Sequence, residues 1–385
     1  MDPVVLIVAR FLQGAGGALS AGVIIALIIT GFTEPDERAR AMSVFTFTIA
    51  GGGSLGLLAG GLLTQWINWH WIFFINLPIG LITLLAGRAL IEDHAGLGLK
   101  EGVDVIGSIV VSAALMLGVY AIVTSAEYGL ASAHTVGFGG GALALLAVFV
   151  WLEARLENPI LPLRILRIRS LMGASAARGM VAVGLFTTFF IGALYLQHVR
   201  GYSAFGTGVA FLPHSIALAA VSLGVSAWLM RRLGPQRMLA FGLVLIITAL
   251  VLLAGAGPHD NYFPRLFVAF ALFGIGAGTS FMPLTIIAMA DIPAADTGLA
   301  SGLSNLSMQV SAAIGLAAAG TISTDKTRSL LAQGESLTNA LSGGYQLTFM
   351  IATACVVIAL VVVLTVLRPS RPAVVTPQLE LKKAA

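Results

Sequence analysis

Apolar residues run through this chain in stretches long enough to cross a lipid bilayer, with little polar sequence between them. A hydrocarbon core is crossed by roughly 20 predominantly apolar residues in helical form. Eleven such stretches can be read: 3–31, 42–66, 71–91, 103–124, 136–152, 171–197, 206–230, 238–255, 265–290, 298–323 and 345–367. Backbone amides in hydrocarbon have no water to bond, so each stretch must satisfy its own N–H and C=O groups as a helix. A closed barrel would show alternating segments of about ten residues, and none are present. The expected fold is an all-α integral membrane protein with eleven transmembrane helices.

Composition supports this. Only 10% of the 385 residues are charged, against about a quarter in soluble domains, and the mean hydropathy is +0.96. The 45 glycines supply small residues for close helix–helix approach. A lone cysteine, Cys355, excludes an internal disulfide framework and a Cys-rich metal site. No cofactor is expected.

The charges are placed asymmetrically. Of 21 Lys and Arg residues, Arg10 and Arg178 lie inside spans, and Arg200, Arg265, Lys326 and Arg328 lie in connections on one side. The rest lie in connections or the tail on the other side, which the positive-inside rule places in the cytoplasm. The C-terminus is then cytoplasmic and the N-terminus outside. Basic residues so distributed are a topology signal, so no nucleic-acid partner is expected. An odd number of spans suggests helices absent at the front, and the opening MDPVVLIVARF lacks the basic region of a cleavable signal.

Sliding the chain against itself by 260 positions aligns Gly14 with Gly274, Gly16 with Gly276, Ser20 with Ser280, Asp36 with Asp296 and Gly60 with Gly320. Parallel repeats of this kind build two-halved transporters around a midplane site, an architecture for which the major facilitator superfamily is the standing example.

RFLQGAGGA (residues 10–18) resembles the fourth-helix motif of the 14-helix drug:proton antiporters in that superfamily. GSLGLLAGG after Gly52 resembles the fifth-helix antiporter motif, and WHWIFFINLPIG (69–80) the sixth-helix signature. YLQHVRGYSAFGTGVAFLPHS (195–215) and ASGLSNLSMQ (300–309) also fit that branch. Leu57 departs from the motif's proline, and Met308 stands where many relatives carry arginine. The resemblance implies helices four to fourteen, the first three being absent. It implies residues 1–95 as the remainder of an N-terminal six-helix half, 96–157 as an inserted helix pair, 158–367 as the C-terminal half and 368–385 as a cytoplasmic tail.

Single residues carry the candidate chemistry. Arg10 lies about two turns into its helix, where a charge is costly and marks a functional position by default; snorkelling to the interface is the alternative. Gln13 lies one turn away on the same face. Arg178 has no interface nearby and reads either as functional or as the structural partner of a helix-end carboxylate. His214, inside a span beside Pro213, reads either as a hydrogen-bonded core histidine or as a proton carrier. Gly14 and the row Gly52, Gly56, Gly60 with Gly61 form a candidate packing motif. Asp36 and Arg38 in EPDERAR (34–40), and Arg231 and Arg232 in WLMRRLGPQR (228–237), are candidate gating residues, or solvated helix ends. Trp66, Trp69 and Trp71 fit an interfacial aromatic belt. All 17 acidic residues fall at span ends, in loops or in tails. In relatives the coupling carboxylate lies on the first helix, so the resemblance leaves His214 as the substitute here.

No HExxH or phosphate loop occurs, and the one GxSxG match, GGSLG (residues 52–56), lies inside a long apolar stretch and not on a strand-to-helix elbow, which argues against an enzyme, including a lipid-modifying one. The resemblance implies multidrug efflux: proton-coupled antiport of lipophilic or cationic toxic compounds across the bacterial cytoplasmic (inner) membrane. Its expected partners are a small-molecule substrate, protons, the lipid bilayer and, as a further candidate, a periplasmic adaptor protein. Transport of a defined metabolite is the alternative.

Overall fold

The computed structural model describes residues 3–32, 34–91, 104–129, 131–156, 164–293 and 296–367, and at some positions, Asp36 and Arg38 among them, the backbone only. Every regular element in these residues is helical.

The helix starts follow local chemistry. Helix α1 covers Pro3–Gly31 and α2 covers Pro35–Trp66. Proline in the first turn, where its missing N–H costs no bond, starts α2 well ahead of its apolar stretch. A single turn, α3 (Trp71–Phe74), leads into α4 (Asn76–Leu90). The Asn76 amide donates to the carbonyls of Ile72 at 3.0 Å and Phe73 at 3.2 Å, joining the two into one rod. Helix α5 (Val105–Tyr128) is capped by Asp104, which accepts the Gly107 N–H, and α6 (Ala133–Glu153) by Ser132, which accepts that of Thr135. Such caps satisfy amides that the first turn leaves orphaned.

Helix α7 (Arg169–Leu194) runs on through a π-turn over Tyr195–Val199. Helices α8 (Ala204–Ala210) and α9 (Leu212–Ala220) form one rod, interrupted at Phe211 ahead of Pro213. Helix α10 (Ser226–Ala254) holds the break expected between two spans: Gly234 adopts φ 73° and ψ 167°, a conformation open to glycine, and Pro235 follows. Helices α11 (Phe267–Met289), α12 (Thr297–Ala332) and α13 (Leu337–Thr365) complete the chain.

Among the described residues nine helices are long and apolar enough to cross a membrane. The other two expected crossings fall on α1 and α2, both helical, although on this measure α1 offers only a shorter apolar segment, Val4–Ser20.

The core lies among α7, α10, α11 and α13, filled by Phe270, Phe273, Phe349, Leu243, Ile246 and Val356. Their outward faces stay apolar: Val251, Ile358 and Leu364 are each more than half exposed, as lipid contact requires. Hydrocarbon is as apolar as leucine, so side chains gain little by leaving it. Close packing must hold the helices together instead. At the α10–α11 seam a Cβ added to Gly276 would sit 2.7 Å from the Gly242 carbonyl oxygen, so bare backbone lets these helices meet. The α5–α6 pair packs on itself and against α12, and α2 meets α8 and α9.

Candidate functional site

Arg10 is exposed on α1 and donates from Nη1 to Gln13 Oε1 at 2.8 Å. Its guanidinium also lies 4.4 Å from the ring centre of Phe73 in α3. A cation over an aromatic face at an exposed site is worth about 0.5–1 kcal/mol. Sequence spacing pairs Arg10 with Gln13. Phe73, over sixty residues on, is placed by the fold alone.

Arg178 is half-buried on α7 and donates from Nη1 to Ser304 Oγ on α12 at 3.0 Å. Its Nε is buried and unpartnered. One turn earlier the Ser175 carbonyl accepts from Ser307 Oγ at 2.9 Å. A Cβ on Gly179 would run into Ser311 Oγ, and one on Gly315 would sit 2.7 Å from Val183, so residues 175, 179 and 183 form the α12-facing stripe of α7. The serines of this seam escaped the sequence reading. ASGLSNLSMQ and the two residues after it held the signal, since Ser304, Ser307 and Ser311 recur at helical spacing.

His214 is 1% exposed. Its ring stands edge-on to Phe189 with centres 5.0 Å apart and is tilted against Phe273 at 5.5 Å. The expectation of a hydrogen-bonded core histidine is half corrected. The ring is in the core, but neither nitrogen has a partner, because the groups around it are aromatic and apolar. Its backbone lies against α11, where a Cβ on Gly274 would strike the His214 carbonyl oxygen. Arg10, Arg178 and His214 thus sit in three separate settings with no shared partner.

In the packing motif, a Cβ on Gly61 would lie 2.7 Å from the Ala204 carbonyl oxygen, where α2 crosses the start of α8. Gly60 is in ordinary contact with Ile72, and at Gly14, Gly52 and Gly56 nothing described lies within 4 Å. The close approach is therefore at Gly61. The repeat mates of Gly14 and Gly16 behave differently, since Gly274 and Gly276 are wedged against α9 and α10.

Of the candidate gating residues, the side chains of Asp36 and Arg38 lie outside the described residues. Arg231 and Arg232 are exposed, Arg232 lying 4.7 Å from the Trp228 ring centre. The repeat mate of Asp36, Asp296, pairs with Arg164 at 2.9 Å just ahead of α12.

At the opposite end the loop between α10 and α11 is tied down from several helices. Tyr195 donates to the Gly257 carbonyl at 2.6 Å, Arg200 to that of Pro258 at 3.0 Å and Gln346 to that of Ala256 at 2.8 Å. Arg265 pairs with Asp260. The Gly257 N–H first, and then Arg265, hold the Asp260 carboxyl below the usual carboxylate range.

A sequence model of the Major Facilitator Superfamily matches residues 2–316. The chain belongs to that superfamily. It is 35% identical over 369 residues to a puromycin resistance protein of Streptomyces alboniger, covering 94% of this chain and 73% of that one. It is 32% identical to the MFS-type transporter EfpA of Mycobacterium tuberculosis, over 85% of this chain and 61% of that protein. It is also 32% identical to a cephamycin export protein of Amycolatopsis lactamdurans, over 82% of this chain and 65% of that one. Against these last two the chain spans less than two thirds of the relative's length. Among solved structures it resembles the POT family transporter PepTSo with a TM-score of 0.50 and 15% identity, over 86% of this chain and 73% of that one, a likeness of fold. This superfamily is a class of multi-pass membrane transporters of small molecules, not of enzymes.

Proposed function

We propose that the chain carries out multidrug efflux, exporting lipophilic or cationic toxic compounds by alternating access. One observation carries this: relatives at 32–35% identity over most of the chain bear the names of drug-resistance and export proteins. Exchange with protons supplies the driving force, and the bacterial cytoplasmic membrane is the site, with the C-terminus in the cytoplasm. A periplasmic adaptor protein is a further candidate partner.

In this reading residues 1–95 belong to one six-helix half and 158–367 form the other. Residues 96–157 are an inserted pair, peripheral to transport. The described part of that pair, α5 and α6, packs mainly on itself and on α12, which fits that role. Arg10, Gln13 and Arg178 line the pathway. His214, shut away from hydrogen-bonding partners, is a candidate proton carrier. Gly61 governs the contact between α2 and α8 that must slide as the halves rock. Asp36, Arg38, Arg231 and Arg232 gate the cytoplasmic side.

The test is dye accumulation in a bacterial strain stripped of its own exporters. Cells expressing the chain should hold severalfold less of a lipophilic dye than empty-vector cells, and the difference should vanish on adding a protonophore. Equal accumulation at confirmed membrane abundance would overturn the reading. A difference that survives the protonophore would overturn the proton coupling alone.

A further inference from the structure

Arg178 is a cation with spare donors and, among the described residues, no counter-charge. It lies nine residues into α7, about 13 Å along the helix at 1.5 Å per residue. A guanidinium presents five N–H donors. The structure gives Nη1 one acceptor, Ser304 Oγ, and leaves the buried Nε without any. No described carboxylate pairs with Arg178, since the acidic residues lie at helix ends and in loops.

The surroundings of this cation add donors. Ser175 precedes Arg178 by one turn and is 3% exposed, and its hydroxyl has no partner. It stands on the stripe that faces α12, four residues before Gly179, whose missing side chain makes room for Ser307 and Ser311. Ser304 accepts from Arg178, so its own proton remains free to donate. One turn of α7 therefore meets one turn of α12 across a patch holding a cation and at least two hydroxyls. A buried unpaired charge is expensive, and a missing acceptor is what would offset that cost. A planar guanidinium fork flanked by hydroxyls matches the two oxygens of a carboxylate.

The geometry points to a substrate subsite on the α7–α12 seam, formed by Arg178, Ser175 and Ser304, that takes the carboxylate of a lipophilic organic acid. This rests on the efflux reading above and narrows its substrate class. At this subsite a carboxylate is preferred to a cation, which would meet Arg178 with like charge.

Three fluorescent probes share one pyrene body and differ in charge: pyrenebutyrate, its neutral amide and the corresponding amine. Binding to the purified full-length chain in lipid nanodiscs is read by energy transfer from tryptophan. The carboxylate should bind at least tenfold tighter than the amide or the amine. Arg178→Gln should weaken carboxylate binding tenfold more than amide binding, and Arg178→Lys should restore part of the difference. Equal affinity for carboxylate and amine, or a preference that survives Arg178→Gln, would overturn the subsite. If Arg178→Gln fails to fold, Ser304→Ala and the wild-type ranking decide in the same way. Amide and amine binding without carboxylate preference would remove the subsite and leave the efflux reading standing. Failure of all three probes to bind would count against both.

Discussion

Arg178 Nη1 donates to Ser304 Oγ across 3.0 Å, joining two helices whose sequence positions lie 126 residues apart. The contact is possible because Gly179, the next residue on α7, brings no side chain into the seam. Gly179→Leu should drive a branched side chain into Ser307 and Ser311. Overpacking of this kind costs about 1–3 kcal/mol. Thermal unfolding in detergent should show a lowered midpoint, and an unchanged midpoint would mean that the seam yields.

Arg10 and Phe73 should be energetically coupled. In a double-mutant cycle of Arg10→Gln and Phe73→Leu read by thermal unfolding, the coupling should be about 0.5–1 kcal/mol, the usual exposed cation–π value. Additive effects would show that their 4.4 Å approach contributes nothing. Arg10→Ala should also abolish dye efflux at near-normal membrane abundance, whereas wild-type efflux would take Arg10 out of the pathway.

Gly274 faces the carbonyl oxygen of His214. A hydrogen-bonding backbone cannot retreat as a flexible side chain can, so Gly274→Ala should lower the melting midpoint. Gly302→Ala is the control, because nothing described lies within 4 Å of its would-be Cβ. A smaller drop at Gly274 than at Gly302 would refute the close approach.

The tie at Asp260 sets a pH dependence. Its carboxyl is held below the usual value of 3.8 in the folded chain. A depressed folded value means stability that is present above the unfolded value and lost as pH falls through the folded one. The Asp260 contribution should therefore be intact at pH 5 and above and fade only in stronger acid. Asp260→Asn should lower the midpoint at pH 7 and converge with wild type at the acid end. A constant difference across that range would assign the effect to packing.

Orientation is open to direct measurement. With Cys355 replaced by Ala, a cysteine at exposed Arg167 should react with a membrane-impermeant thiol reagent only from the cytoplasm. One at exposed Ser336 should react only from outside. The reverse pattern would invert the topology.

The sequence by itself determined that the chain is a set of membrane helices, roughly where each crosses and which residues carry costly charges inside them. These properties are local. Hydrocarbon forces each segment to satisfy its own backbone, and a run of some twenty apolar residues states its fate without reference to any other segment. Gln13 beside Arg10 was legible for the same reason, since one helical turn fixes the neighbour. The internal repeat was legible as well, yet it could not say that Gly274 and Gly276 would be wedged while nothing described lies against Gly14 and Gly16. Only the tertiary structure decided that Gly61 makes the close crossing, that His214 lies among phenylalanines without a hydrogen bond, and that Asp296 finds Arg164. It also put three serines and an unpaired cation on one seam. Helix–helix packing in lipid has little hydrophobic bias to choose a face, so partners are selected by shape and a few polar contacts between residues far apart in the chain. Local periodicity carries no record of that choice.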